Sequence, residues 1–212
     1  MKLYNYFRSS AAYRVRIALN LKGLQAENVF IHLQKNEQSA DDYLKVNPQG
    51  LVPALVDGND TITQSMAIIE YLDEAYPSPP LLPGTPVERA RVRSIAQLIA
   101  CDIHPIDNLR VLRYLVNDLK LSEDQKNAWY AHWIVVGLNA LETMLASDPR
   151  AGRFCHGDTP TLADICLVPQ LANARRGNVD LAPYPTLLRI DAACNELPAF
   201  ANAHPMKQPD AS

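Results

Sequence analysis

Along the first part of the chain the spacing of apolar positions switches back and forth. Leu3 to Tyr6 reads as a short strand, Ser10 to Lys22 carries apolar residues at helical spacing and stops at Gly23, and Asn28 to Leu33 returns to strand. A βαβ unit is the simplest assembly of these three. Helical turns follow near Asp41 to Lys45. Ala54-Leu55-Val56 and Thr61-Ile62-Thr63 then flank Asp57-Gly58-Asn59-Asp60 as a hairpin, and a helix runs from Ser65 to Tyr76. βαβ followed by ββα, with one parallel and one antiparallel pair, predicts a thioredoxin-like layer fold.

The pattern changes across residues 77–86, where five of ten residues are proline, more than a helix or central strand tolerates. Beyond this stretch only helical spacing recurs. Thr85-Pro86-Val87-Glu88 places an N-cap, a proline at N1 and a glutamate at N3. Ser122-Glu123-Asp124-Gln125 opens a second helix, with Trp129, Trp133, Val136, Ala140 and Leu141 at helical spacing and both tryptophans assigned to the core. Thr161-Leu162-Ala163-Asp164 is a capping box with a folding role that starts a third helix, and Pro185 starts a fourth. The expected class is α/β plus all-α: a thioredoxin-like domain over residues 1–78, a proline-rich linker at 79–86, and a helical bundle over 87–212.

Composition narrows the function. Among 212 residues, 48% are apolar and 20% charged, which excludes disordered and fibrous classes. Twenty basic against 23 acidic side chains give a net charge of -3 without like-charge blocks, so neither nucleic acid nor a polybasic membrane contact is expected. No leader-like start and no long apolar run occur, and a cytoplasmic protein is expected. Cys101, Cys155, Cys166 and Cys194 match neither a redox pair nor a zinc spacing and are assigned as buried thiols; the histidines are scattered singly, so no bound metal is expected. Arginine outnumbers lysine by 13 to 7, a bias toward bidentate grip on carboxylates.

Two stretches carry chemistry. In Phe7-Arg8-Ser9-Ser10-Ala11-Ala12-Tyr13-Arg14 a strand ends and a helix begins, so hydroxyls and free backbone N–H groups meet at the positive end of a helix dipole, which favours an anion. Where a thioredoxin-like unit carries redox cysteines, this chain has Ser9-Ser10-Ala11-Ala12, so any thiol must arrive with a ligand. Read alone, Ser9 or Ser10 is more simply a plain N-cap. The second stretch is Asn47-Pro48-Gln49-Gly50-Leu51-Val52-Pro53 with Gln64-Ser65. There the Val52 backbone can pair with an extended peptide, while an amide, a hydroxyl and helix N–H groups meet a carboxylate. An ordinary turn and an N-cap would explain each piece taken separately.

Taken together, Ser9-Ser10 before Tyr13-Arg14-Val15-Arg16-Ile17-Ala18-Leu19, Asn47-Pro48 with Val52-Pro53, and Gln64-Ser65 before Ala67-Ile68-Ile69-Glu70-Tyr71-Leu72 resemble the zeta class of glutathione transferases, whose members include maleylpyruvate and maleylacetoacetate isomerases. The likeness extends to Ala172-Asn173-Ala174-Arg175-Arg176, to Val179 through Pro185 and to the tail around His204-Pro205 and Gln208-Pro209-Asp210. The resemblance implies glutathione as cofactor, with Ser9 as the catalytic hydroxyl on its sulfur. It implies contacts to glutathione from Ser10, Ala11, Gln38, Val52, Gln64, Ser65, Asp102, His104, Asn108, Leu109 and Arg110. Arg8, Arg110 and Arg176 are implied for a small dicarboxylate, and a homodimer is implied as the assembly. The family usually has cysteine after the two serines; Ala11 stands there in this chain, which excludes a cysteine-assisted step. The implied reaction is cis–trans isomerisation of maleylpyruvate by reversible thiolate addition, rotation of the resulting single bond and elimination. Maleylacetoacetate isomerisation, conjugation of small haloacids and a non-catalytic glutathione-binding regulator are the competing readings.

Overall fold

The alternating segments at the start of the chain form a four-stranded mixed sheet in the computed structural model, which describes residues 1–211. Strands β1 (Lys2–Asn5), β2 (Glu27–Phe30), β3 (Ala54–Asp57) and β4 (Asp60–Thr63) lie in the order β2-β1-β3-β4. β1 and β2 run parallel, with Leu3 opposite Asn28; β3 is antiparallel to both β1 and β4, with Leu55 opposite Leu3 and Ile62. β2 stops at Phe30 instead of Leu33, because the chain turns into a single 3-10 turn at Leu33–Lys35. Helix α1 (Ser10–Leu21) crosses between β1 and β2; α2 (Asp41–Leu44) is one turn, and α3 (Ser65–Ala75) follows the hairpin. This is the thioredoxin-like arrangement the pattern predicts.

α1 and α3 pack on each other, and Val15, Ile17, Ala18, Ile68, Ile69 and Leu72 lose essentially all exposure. Each fully buried aliphatic chain contributes about 1.5–3 kcal/mol. The fully buried Lys22 ammonium closes the far end of α1 by donating to Asp73 Oδ1 (2.6 Å) and to the carbonyls of Tyr76 and Pro79 (2.7 and 2.6 Å).

The proline stretch does not act as a free tether. Leu81 and Leu82 are buried, Leu162 N–H donates to Leu81 O at 2.9 Å, and the second compact unit begins at Leu81 and ends at Asn195. It contains α4 (Pro86–Gln97), a π-helical segment (Leu98–Ile103), α5 (Leu109–Asn117), α6 (Glu123–Ala146), α7 (Leu162–Arg176) and α8 (Pro185–Asn195). Reciprocal capping boxes start three of these helices, at Thr85/Glu88, Ser122/Gln125 and Thr161/Asp164. The last is wholly buried: Asp164 accepts from Thr161 N–H and Cys155 N–H, both at 2.8 Å, and from the Thr161 hydroxyl at 3.0 Å.

On α6 the buried face is not the expected one. Ile134, Gly137, Leu138, Leu141 and Leu145 turn inward, Val136 is exposed, and Trp129 and Trp133 are half-buried and not core. Gly137 sets this register, because a Cβ there would stand 2.2 Å from Ile103; the missing side chain admits the π-helical segment against α6. That segment turns Ile99 and Ile103 inward and leaves Cys101 exposed, unlike the other three thiols.

The last part of the chain departs most from expectation. From Glu196 onward it belongs with Met1–Pro80 and not with the helical bundle, so a helical domain of 87–212 is too long. The buried Arg16 explains this: its guanidinium donates to Ala203 O and to Phe7 O, both at 3.1 Å. Asp210 accepts from Phe7 N–H at 2.9 Å, and Asn20 reaches Ala199 O in the short helix α9 (Pro198–Ala201) at 2.9 Å. Among the described residues no helix is long and apolar enough to cross a membrane.

Candidate functional site

In the first unit the site grows from the β1–α1 turn. Ser9 is the N-cap of α1: its Oγ accepts from Ala12 N–H at 3.2 Å, and its own N–H donates to Tyr6 O at 3.0 Å. The capping role leaves the hydroxyl its own proton to donate, since it only accepts the Ala12 bond. Ser10 is buried, Ala11 half-buried, and Arg8 exposed with its guanidinium 5.0 Å from the centre of the Phe7 ring. Arg16 holds this turn from behind through Phe7 O; burial lowers its pKa to about 10, against the opposing influence of Tyr13 and Asp210.

A second group of polar atoms surrounds the loop before β3. The Val52–Pro53 bond is cis, and the carbonyl of the preceding Leu51 is pinned by Tyr43 Oη (2.6 Å) and Asn47 Nδ2 (2.7 Å). Burial pushes the Tyr43 phenol up to about 12, so it stays a donor. Gly50 has φ +61°, and a Cβ there would press on Gln38 O at 3.1 Å. The Gln38 Oε1 atom is buried with no hydrogen-bond partner among the described residues. Gln64 has φ +69°, a region that side chains other than glycine rarely occupy and that recurs at ligand sites. It donates to Gln49 Oε1 at 2.8 Å, and Ser65 begins α3 with its hydroxyl 3.4 Å from Nη1 of the fully buried Arg14. A helix N-terminus, a hydroxyl and a buried guanidinium are groups whose chemistry suits a carboxylate. Arg14, Asn47 and Gln49 all lie within the two motifs, but only the fold shows what each one touches.

The helical unit has its own cluster at the end of the π-helical segment. His104 is half-buried, with Nε2 3.5 Å from Asn108 Nδ2; Asn108 caps α5 by accepting from Arg110 N–H at 3.1 Å. Leu109 and Arg110 are exposed. Asp102 is exposed on the same segment, two residues before His104. Trp129 Nε1 donates to Ile106 O at 3.0 Å and fixes the turn. At the end of α7 Arg176 donates to Asn173 Oδ1 at 2.9 Å and to the Tyr130 phenol. A Cβ on Gly177 would lie 2.5 Å from Tyr130 Cε1, so glycine lets the phenol lie against the end of α7. Burial raises the Tyr130 pKa, Arg176 opposes this and Asp107 adds to it.

The arginine excess is mostly structural. Arg91 and Arg150 grip Asp148, Arg175 grips Asp191, and Arg189 grips Gly152 O. All three arginines assigned to a dicarboxylate are exposed, and Arg176 is oriented by Asn173 and Tyr130.

Comparison with known proteins agrees with this geometry. Family models for the glutathione S-transferase N-terminal and C-terminal domains match residues 1–74 and 134–201. The chain is 52% identical, over all of both sequences, to a maleylpyruvate isomerase of a Ralstonia species. It is 50% identical to a probable maleylacetoacetate isomerase of Vibrio cholerae, covering 99% of this chain and 97% of that one. Among solved structures, a holo maleylpyruvate isomerase described as a bacterial zeta-class enzyme superposes with a TM-score of 0.98 at 52% identity over the whole of both chains. A maleylacetoacetate isomerase from Methylobacterium extorquens with bound malonate and glutathione does so with 0.98 at 44% identity, again over the whole of both. The chain belongs to the glutathione transferase family, in its zeta class.

Proposed function

We propose that this chain is a glutathione-dependent cis–trans isomerase that converts maleylpyruvate to fumarylpyruvate in aromatic-ring catabolism. The observation that carries the reading is the β1–α1 turn: an N-capping Ser9 with a proton to donate, at the start of a twelve-residue helix, in a stretch without cysteine. The first unit has the groups to hold glutathione. Ser9 and the α1 N-terminus suit its sulfur, the Val52 backbone and the buried Gln38 oxygen suit its peptide groups, and Gln64, Ser65 and Arg14 suit a carboxylate. When bound, glutathione supplies a thiolate that adds to an alkene carbon and later leaves, which turns a fixed double bond into a rotatable single bond for the time between.

The protein's own task is electrostatic. Ser9 donates to the sulfur and the α1 dipole favours its negative charge; Arg176, oriented by Asn173 and Tyr130, takes a substrate carboxylate, with Arg8 and Arg110 as further cations. His104 and Asn108 are assigned to glutathione contacts. The reading includes a homodimer, and a cytoplasmic location fits four cysteines that remain free thiols. A solved relative, 46% identical, holds dicarboxyethyl glutathione and citrate in its active site.

A maleylacetoacetate preference is the second reading, favoured by the 50% identity to the Vibrio cholerae protein. The test is the ultraviolet spectrum of maleylpyruvate and of maleylacetoacetate with substoichiometric glutathione. The expected result is full conversion of maleylpyruvate at the faster rate with free thiol undiminished. Loss of thiol in step with turnover would make the protein a conjugating transferase. No spectral change with either acid would leave a binding protein.

A further inference from the structure

The stretch Gln208-Pro209-Asp210 shares the family likeness but supplies none of the groups assigned to glutathione or substrate. The fold nevertheless brings it to the turn that carries Ser9. Asp210 Oδ2 accepts from Phe7 N–H at 2.9 Å across 203 positions of the chain, while Arg16 Nη2 donates to the carbonyl of the same Phe7 at 3.1 Å. Phe7 is buried and lies beyond the end of β1, so its N–H has no ladder partner and is met by this carboxylate instead. The link from Phe7 to Ser9 is short. Arg16 Nη1 donates to Tyr6 O at 3.5 Å, and that carbonyl accepts the Ser9 N–H at 3.0 Å, so Tyr6 to Ser9 is one turn gripped at its middle by Asp210 and Arg16. The tail is itself fixed: Gln208 Nε2 donates to the carbonyls of Asn202 and His204 at 3.0 and 3.1 Å, and Ala211 packs against the buried cluster that contains Tyr6 and Phe7.

We propose that Asp210 is a positioning residue for the reaction, which through Phe7 fixes the Tyr6–Ser9 turn and so the place of the Ser9 hydroxyl against the sulfur of glutathione. The inference rests on Ser9 being the hydroxyl that meets that sulfur. A hydrogen bond weakens steeply as its length and angle leave the optimum, so a turn that shifts leaves the bound thiol more basic. The negative charge of Asp210 acts in the opposite sense, since taking a like charge away favours a thiolate. Asp210→Ala and Asp210→Asn both lose the charge, but only Asp210→Ala loses the acceptor for Phe7 N–H. The difference between them therefore isolates the hydrogen bond. Arg8, Tyr13, His32 and His204 also lie around the turn, and both variants leave them in place.

The experiment is the ultraviolet absorbance of the bound thiolate against pH in the full chain, with glutathione and no acid substrate. In Asp210→Ala the thiol is expected to titrate about 0.5–1 pH unit higher than in Asp210→Asn, which stays within about 0.3 of the wild type. From a wild-type value of about 6.5 this lowers the thiolate fraction at pH 6 about threefold to eightfold, while Kd for glutathione at that pH stays within about twofold. In combination with Ser9→Ala, Asp210→Ala should add nothing, because it acts through that hydroxyl. A merely structural role would lower Tm in Asp210→Ala and leave the thiol where it is. Equal thiol titration in Asp210→Ala and Asp210→Asn overturns the proposal, as does a shift of the same size with and without Ser9. Asp210→Ser takes the place of an Asp210→Ala that does not fold. If Ser9→Ala leaves the thiol unmoved, the reading of Ser9 fails and the proposal with it; if Ser9→Ala raises it and Asp210→Ala does not, only the role of Asp210 fails.

Discussion

Removing the Ser9 hydroxyl separates its two jobs. The Oγ accepts the Ala12 N–H bond that caps α1, while its proton is available to a thiolate. A free thiol titrates near about 8.5, and bringing it to about 6.5 needs roughly 2.7 kcal/mol. A helix N-terminus supplies about 0.3–1 kcal/mol and a hydrogen bond to a charged group about 1.5–3 kcal/mol, so the hydroxyl is the larger contributor. In Ser9→Ala the thiol of bound glutathione should therefore titrate about 1–2 pH units higher, which at pH 7 lowers the thiolate fraction about three- to twenty-five-fold. The loss of the cap costs about 1 kcal/mol, read as a fall in Tm of roughly 2–4 °C. The assay is the ultraviolet absorbance of the bound thiolate against pH, with kcat measured over the same range. Activity of both proteins rises with pH through the thiol pKa, so the variant should approach the wild type in alkali. A thiol that titrates within about 0.3 pH units of the wild-type value in Ser9→Ala, or a deficit of the same size at every pH, would refute the reasoning.

Three further outcomes are expected. Arg176→Ala should raise KM for the dicarboxylate about tenfold or more while KM for glutathione stays within about twofold; equal effects on both would remove Arg176 from the substrate role. Asp164→Ala should lower unfolding free energy by about 3–5 kcal/mol in a denaturant titration, because it removes a cap and leaves the buried N–H groups of Cys155 and Thr161 unpaired; a loss below about 1 kcal/mol would contradict this. Asp107 has a folded-state pKa raised to about 7, so the native protein holds a proton that the unfolded chain has released, and the associated stability is complete at low pH and fades as pH rises through 7. Asp107→Asn should therefore flatten the pH dependence of stability and be the more stable protein at pH 8 by about 1 kcal/mol, once screening of a partly exposed group is allowed for; parallel pH profiles would contradict it.

What could be read in advance was what local chemistry determines. The βαβ-ββα order, the Gly58-Asn59 hairpin turn and the helix starts at Thr85, Ser122 and Thr161 each lie within a few residues, and each appears in the structure. Ser9 and the Gln64-Ser65 pair were legible for the same reason, since a helix start has a composition of its own. The register of α6 was not, because Trp129 and Trp133 look like core residues until Gly137 is seen to admit Ile103. Asp107 gave no sign beyond an acid in a turn, yet both its Oδ atoms are shielded from solvent. The return of the C-terminal segment was hidden too, because Arg16 meets Ala203 and Phe7 meets Asp210 across most of the sequence.

That return has a consequence for biogenesis. Translation delivers Met1–Pro80 first and the segment from Glu196 only after the whole helical unit has been made. Until then Arg16 lacks the Ala203 carbonyl and Phe7 lacks the Asp210 carboxylate, so the turn that carries Ser9 is still incomplete. A chain that stops at Asn195 thus has every residue assigned to glutathione but not the buttress behind its serine, which comes only with the segment from Glu196 onward.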